Sequence, residues 1–241
     1  MKTIQKRIFI FFYLLIQISL YVTAIFLKTN LSIKYLEYSF IIINFISSVI
    51  LTIFIKTSDS RLVSYALFFT LLADTFLLMI NKYFTLAVTI FIITQIMYYL
   101  RLIDFRKIKK IIALDYVRLM LIIIMVVLSF IVLKERNDLL VVVTMIYFVN
   151  LIMNFFESIK YRSISSLFMV GLLLFIFCDI FVGLWKIDNY IDIVENTLLY
   201  KIINLDFNTA WFFYFPSQIL LLLSIFEVER KKKCLKKSSI G

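Results

Sequence analysis

Histidine is absent from this chain of 241 residues, and cysteine occurs only twice. Without an imidazole there is no Ser-His-Asp triad and no Cys-His nucleophile pair. The cysteines, Cys178 and Cys234, stand in an apolar run and in a basic C-terminal stretch. They provide neither a disulfide framework nor the ligand spacing of a zinc site, so no metal and no cofactor is expected. Glycine occurs three times and proline once, too few for long linkers or for the broken helices common at transport sites. Charge is scarce as well, at 17% of residues, whereas 63% are apolar. Soluble domains run near ~45–50% apolar, and the mean hydropathy here is +1.01. The chain reads as a membrane protein with no sizeable soluble domain.

What fills the chain is long apolar runs, and runs of about 18 residues or more read as membrane helices. Eight are expected, at 8–27, 36–55, 62–80, 83–100, 113–133, 139–156, 165–185 and 208–226. They make an all-α membrane protein, a single integral domain over 1–241 ending in a basic tail at 227–241. Val22-Thr23-Ala24 is a faint cleavage pattern, but the run around it is long enough for an uncleaved helix. Most of the 26 Lys and Arg residues fall in 1–7, 56–61, 101–112, 157–164 and 227–241. The positive-inside rule then puts both termini in the cytoplasm. On this reading the net charge of +11 reflects cytoplasmic loops and a tail that touch anionic lipid head groups, and no nucleic acid is implied. The loop 186–207 on the opposite side is acidic.

Two aspartates stand where charge is costly. Asp74 lies within Leu62 to Ile80, and Asp179 within Ser165 to Trp185. A carboxylate at the centre of a membrane helix costs roughly 2.5–3.5 kcal/mol even on lenient scales, so such groups face the bundle interior and mark function. Asp74 is in the third run and Asp179 in the seventh, so their helices point the same way and their depths agree to a few ångströms at ~1.5 Å per residue. Two carboxyls in one apolar interior do not both ionise cheaply, so one is expected to keep its proton while the other is charged. That pairing is the equipment of general acid and base chemistry.

An internal repeat accompanies the pair. Both aspartates begin an Asp-x-Phe, and the fourth and eighth runs carry Gln95 and Gln218. Two four-helix halves, related by an axis along the membrane normal, would place Asp and Gln at matching positions. Gln95, Gln218, Ser217, Asn150 and Asn154 are candidates to bind substrate or orient the carboxyls, and Tyr98, Tyr99 and Tyr214 to line the site. Asparagines in membrane helices also serve simply as glue between helices. Asp115 and Arg118 are three apart and are expected to pair with one another.

The stretch YALFFTLLADTFLLMINKYFTLAVTIFIITQIMYYLRL at 65–102 carries a mid-helix Asp, a short turn with Phe and a second helix ending in Tyr. Further on come Gly171-x-x-x-Phe175-x-x-x-Asp179 and Tyr214-x-x-x-Gln218. In order and spacing these segments resemble the YhhN family of lysoplasmalogenase-like membrane proteins, over most of 62–226. The resemblance implies eight membrane helices and hydrolysis of the vinyl ether bond of a lysophospholipid. It implies Asp74 and Asp179 as the catalytic pair, and an integral multi-pass location, expected here in a bacterial plasma membrane. A protonated Asp would protonate the vinyl ether carbon and an ionised one would activate water, with no metal. Two other readings stay open. A proton-coupled transporter or permease would use the same carboxylates as a relay. A non-catalytic relative would also fit, since Gln95 orients a water or a phosphate oxygen but moves no proton.

Overall fold

The computed structural model describes residues 3–26, 30–106, 113–191, 197, 200 and 209–238. Among them eight long helices follow in order: α1 (Thr3–Phe26), α2 (Asn30–Ile55), α3 (Ser58–Asp74), α4 (Phe84–Phe105), α5 (Ala113–Leu133), α6 (Leu139–Lys160), α7 (Ser166–Lys186) and α8 (Thr209–Ser238). Each of these, α3 together with the turns that follow it, is long and apolar enough to cross a membrane. The protein is all-helical and of integral, multi-pass type. Apolar side chains such as Leu119, Met120, Ile123, Ile124, Val127 and Ile131 of α5 remain exposed. In a bundle whose solvent is lipid, that is where an apolar face belongs.

Local chemistry fixes where several helices begin. Thr57 accepts from the Ser60 backbone N–H, and the Ser60 side chain answers the Thr57 backbone, closing a capping box at α3. Asp138 caps α6 and Ser165 caps α7 in the same manner. The end of α3 departs from the continuous helix expected over 62–80. After Asp74 the chain widens into a π-helix, Thr75–Ile80, which stops at Asn81 in the left-handed region. The short turn to α4 also puts Tyr83 at positive φ.

The expected two halves are visible in the packing. α1 packs on α2 as α5 packs on α6, α2 on α3 as α6 on α7, and α3 on α4 as α7 on α8. The halves join in a matching way, with α2 against α8 and α6 against α4. The α7–α8 contact is intimate: a Cβ on Gly171 would lie 2.9 Å from Leu221 Cγ and 3.2 Å from the Leu221 backbone nitrogen. This position tolerates only glycine without displacing α8.

Lys6 of α1 pairs with Glu229 of α8, so both ends of the bundle lie on one face. Here the structure extends the sequence reading. The helix expected to end at 226 continues to Ser238, and the start of the expected tail takes part in packing. Glu227 accepts from Ser165 Oγ at 2.9 Å, Ser166 Oγ at 2.9 Å and the Leu167 N–H at 2.8 Å, tying α8 to the first turn of α7. Val228 is buried beside it. Most of the acidic loop 186–207, and 107–112 of the basic loop 101–112, lie outside the described residues.

On the same face, charges taken as loop residues are buried ion pairs. Arg101, fully buried, reaches Asp59 at 2.8 Å and Ser224 Oγ at 2.6 Å. Arg106 joins Glu157 at 2.7 Å and Asp115 at 2.9 Å. The expected Asp115–Arg118 pair is not formed as such: Asp115 takes Arg106, and Arg118 turns toward Glu157 at 3.6 Å. A carboxylate on a neighbouring helix outcompetes one that is only a turn away. Burial works against the Arg106 charge, but the Asp115 and Glu157 carboxylates more than offset it and raise its pKa above the usual arginine value.

Candidate functional site

Asp74 and Asp179 are brought together. Both helices enter from the same face, and the two carboxyls lie within electrostatic reach of one another. Each is held by a tyrosine from a different helix. Tyr214 of α8 donates to Asp74 Oδ2, and Tyr147 of α6 donates to Asp179 Oδ2 at 2.6 Å. A chain of rings joins the pairs: Tyr147 meets Phe91 at 5.6 Å, Phe91 meets Phe175 at 6.1 Å, and Phe175 meets Tyr214 at 5.6 Å. Asp74 is 5% exposed, whereas Asp179 is half-buried and the more accessible of the two.

A third carboxyl was not read from the sequence. Glu37 of α2 is buried and lies within electrostatic reach of Asp74. The signal was present, since an acidic residue beside a long apolar run rarely stands there idly. It stands at the start of the expected helix 36–55, where a charge is ordinarily a boundary residue. Tyr147 was missed because nothing in the sequence separates a mid-helix tyrosine from packing. The π-turn directly after Asp74 was equally hidden, although such turns gather at functional sites. Tyr38 Oη and Thr75 Oγ1 lie 2.9 Å apart there, and Lys34 donates to the Met79 carbonyl at 3.2 Å.

The remaining candidates divide. Gln95 and Gln218 are fully buried and sit near the midpoints of the spans Phe84–Phe105 and Thr209–Lys231. Each follows by four residues a ring of the aromatic chain, Phe91 or Tyr214, and so lies one turn or ~6 Å deeper. Neither end of the Gln218 amide has a hydrogen-bond partner among the described residues, nor do Gln95 Nε2, Tyr98 Oη, Thr70 Oγ1 and Ser217 Oγ. A buried polar group left unsatisfied costs about 1–3 kcal/mol, so these orphaned groups call for a polar partner from outside the protein. Asn150 belongs elsewhere: it donates to the Ile146 carbonyl of its own helix and accepts from Arg118. Its side chain is thus engaged by Arg118 and by its own helix, and no bond ties it to the aspartates among the described residues. Tyr99 lies with Asp115, Arg106 and Arg118 outside this interior. Cys178 is buried beside Asp179.

A cleft of about 420 Å³ opens between α1 and α2, lined by Ile8, Phe12, Tyr13, Ile16 and Ser47 among others. It is largely apolar and includes none of the carboxyl residues, so it is not the site.

The arrangement offers two carboxyls within electrostatic reach of one another, each held by a phenol donor, a third carboxyl near Asp74, and neutral hydrogen-bonding groups one turn deeper. Such carboxyls can give and take protons and orient a polar molecule beside them. No curated protein and no solved structure matches the chain. The model of the YhhN family matches residues 39–225, a span that begins just after Glu37 and takes in both aspartates, both tyrosines and both glutamines. The chain belongs to the YhhN family.

Proposed function

We propose that this protein is an intramembrane hydrolase that cleaves the vinyl ether bond of a lysophospholipid, using Asp74 and Asp179 as acid and base, in a bacterial plasma membrane with both termini cytoplasmic. The observation that carries the reading is the pair itself: two aspartates from parallel helices within an apolar bundle, each held by a tyrosine from a further helix and within electrostatic reach of the other. Charge so placed is retained for chemistry or transport.

The reaction needs no more than such a pair. The protonated carboxyl gives its proton to the vinyl carbon remote from oxygen, leaving an oxocarbenium ion. The ionised carboxylate takes a proton from water as the water adds, forming a hemiacetal. That proton then passes to the ether oxygen as the C–O bond breaks, and the hemiacetal hydroxyl returns its proton to the first aspartate. The products are a fatty aldehyde and a glycerophospho-base, and both carboxyls recover their starting states. The apolar surroundings keep bulk water from the cation. Anionic head groups would meet the basic residues Arg230 and Lys231, which are exposed at the end of the bundle.

The test is turnover by purified protein in detergent, with lysoplasmalogens, monoacyl lysophospholipids and diacyl phospholipids supplied in parallel. Aldehyde release that Asp74→Asn and Asp179→Asn each abolish is the expected result. Full activity in both variants overturns it. The matched halves of the bundle favour one other reading, a proton-coupled transporter. Substrate uptake driven by a proton gradient in proteoliposomes, with no aldehyde released, would establish that instead.

A further inference from the structure

We infer that Gln95 and Gln218 form a subsite beneath the aspartates that binds the glycerol hydroxyl of the substrate, with the polarity of the Gln95 amide set by a relay from helices away from the site. This rests on the hydrolase reading for the identity of the lipid.

The relays are equivalent in the two halves. In one, Arg118 of α5 donates to Asn154 Oδ1 at 3.0 Å, and Asn154 Nδ2 donates to the Gln95 carbonyl at 2.9 Å. In the other, Tyr13 of α1 donates to Asn44 Oδ1 at 2.7 Å, and Asn44 Nδ2 donates to the Gln218 carbonyl at 3.3 Å. Helices one, two and eight thus repeat what five, six and four do.

Satisfiability decides which way each amide faces. A guanidinium only donates, so Asn154 must turn its oxygen to Arg118 and its nitrogen to Gln95. The same nitrogen donates to Gln95 Oε1 at 3.1 Å. Reversing the Gln95 amide would oppose two donors, so Nε2 is directed away as a donor, and it has no partner among the described residues. The charge of Arg118 polarises the chain and strengthens that donor. Gln218 is held by its backbone alone, and its side-chain oxygen and nitrogen are both free to bond.

A hydroxyl needs one donor and one acceptor. Gln95 Nε2 supplies the first and Gln218 Oε1 the second. The groups on offer are neutral, which suits glycerol rather than phosphate. Arg118, the cation behind the relay, is engaged by Asn150, Asn154 and Glu157. Asn154 is therefore a positioning residue, acting through Gln95.

The experiment is equilibrium binding in detergent of a saturated-ether lysophospholipid, which cannot be hydrolysed by this route, and of its analogue lacking the glycerol hydroxyl. The wild-type protein should bind the hydroxyl-bearing lipid about tenfold more tightly, the worth of one such hydrogen-bonded group. Gln95→Met should bring the ratio to about one, and Asn154→Leu should reduce it without contacting the lipid. Should Gln95→Met fail to fold, Gln95→Glu, which still accepts from Asn154, is read for the same loss. Equal binding of the two lipids by wild type, an unchanged ratio in the Gln95 variant, or binding of neither lipid overturns the proposal. Discriminating binding with no vinyl ether turnover would remove the hydrolase reading and leave the subsite standing; turnover without discrimination would do the reverse.

Discussion

At the scale of single residues, the two aspartates are not equivalent. Asp74 is enclosed, with Tyr214 and Glu37 about it, whereas Asp179 is partly exposed beside Tyr147. Removing either proton-transfer group should lower turnover by roughly 10²–10⁴, and Asp74→Asn and Asp179→Asn measured singly and together should show far less than additive losses. The rate should follow a bell in pH whose limbs belong to the pair and not to either aspartate; a monotonic profile in the wild type would argue against acid-base partnership. Tyr147→Phe removes a donor but no proton carrier. Its expected cost is about tenfold in rate, the range of one hydrogen bond to a charged group, and steady-state kinetics of the variant checks it. Tyr214 was expected to line the site and Tyr147 was not, and the carboxyl each one binds was legible for neither, because a phenol declares its partner only when another helix is set against it.

At the scale of elements, the α7–α8 contact depends on a missing side chain. Gly171→Ala places a methyl 2.9 Å from Leu221 Cγ, and overpacking of this kind costs about 1–3 kcal/mol. Gly183 sits on the same helix with nothing within 4 Å of its would-be Cβ, so Gly183→Ala should be neutral or stabilise by about 0.5–1 kcal/mol. Thermal unfolding in detergent, followed for both variants side by side, would show the asymmetry; equal shifts would mean the close approach is not a constraint. Glu157 is fully buried and binds Arg106 at 2.7 Å. Glu157→Gln leaves two arginines short of a counter-charge, and breaking a buried pair costs about 3–5 kcal/mol. The same measurement should register it as a much larger fall in melting temperature than that of Gly171→Ala. Helix existence was readable throughout from apolar length. Helix ends were less so: α8 runs on to Ser238 because Glu227 caps its neighbour and Val228 finds a buried place, and neither fact is local to that segment.

At the scale of the whole molecule, the ends of α1 and α8 meet on one face through Lys6 and Glu229. On the proposed orientation, drawn from the distribution of basic residues, that face is cytoplasmic. Cys234 is exposed on it and Cys178 is buried, which provides a natural reporter. A membrane-impermeant maleimide should label the protein in inside-out vesicles at Cys234 alone and leave it unlabelled in intact cells. Labelling of intact cells would reverse the orientation.

The order of residues alone is enough to show a helical membrane protein, its eight apolar spans, the two aspartates inside them and its family. The first three follow from apolar run length and from the penalty on isolated charge, both of which act within a single segment, and the family follows from the order and spacing of motifs along the chain. Which residues serve those aspartates depends on how the helices pack. Tyr147, Tyr214 and Glu37 reach them from three different helices, Asn150 is drawn off by Arg118, and Arg101 leaves its apparent loop to bind Asp59. In a bundle surrounded by lipid every polar side chain must find its partner inside, and which partner it finds is settled by how the helices are rotated and set against one another, not by the order in which they occur.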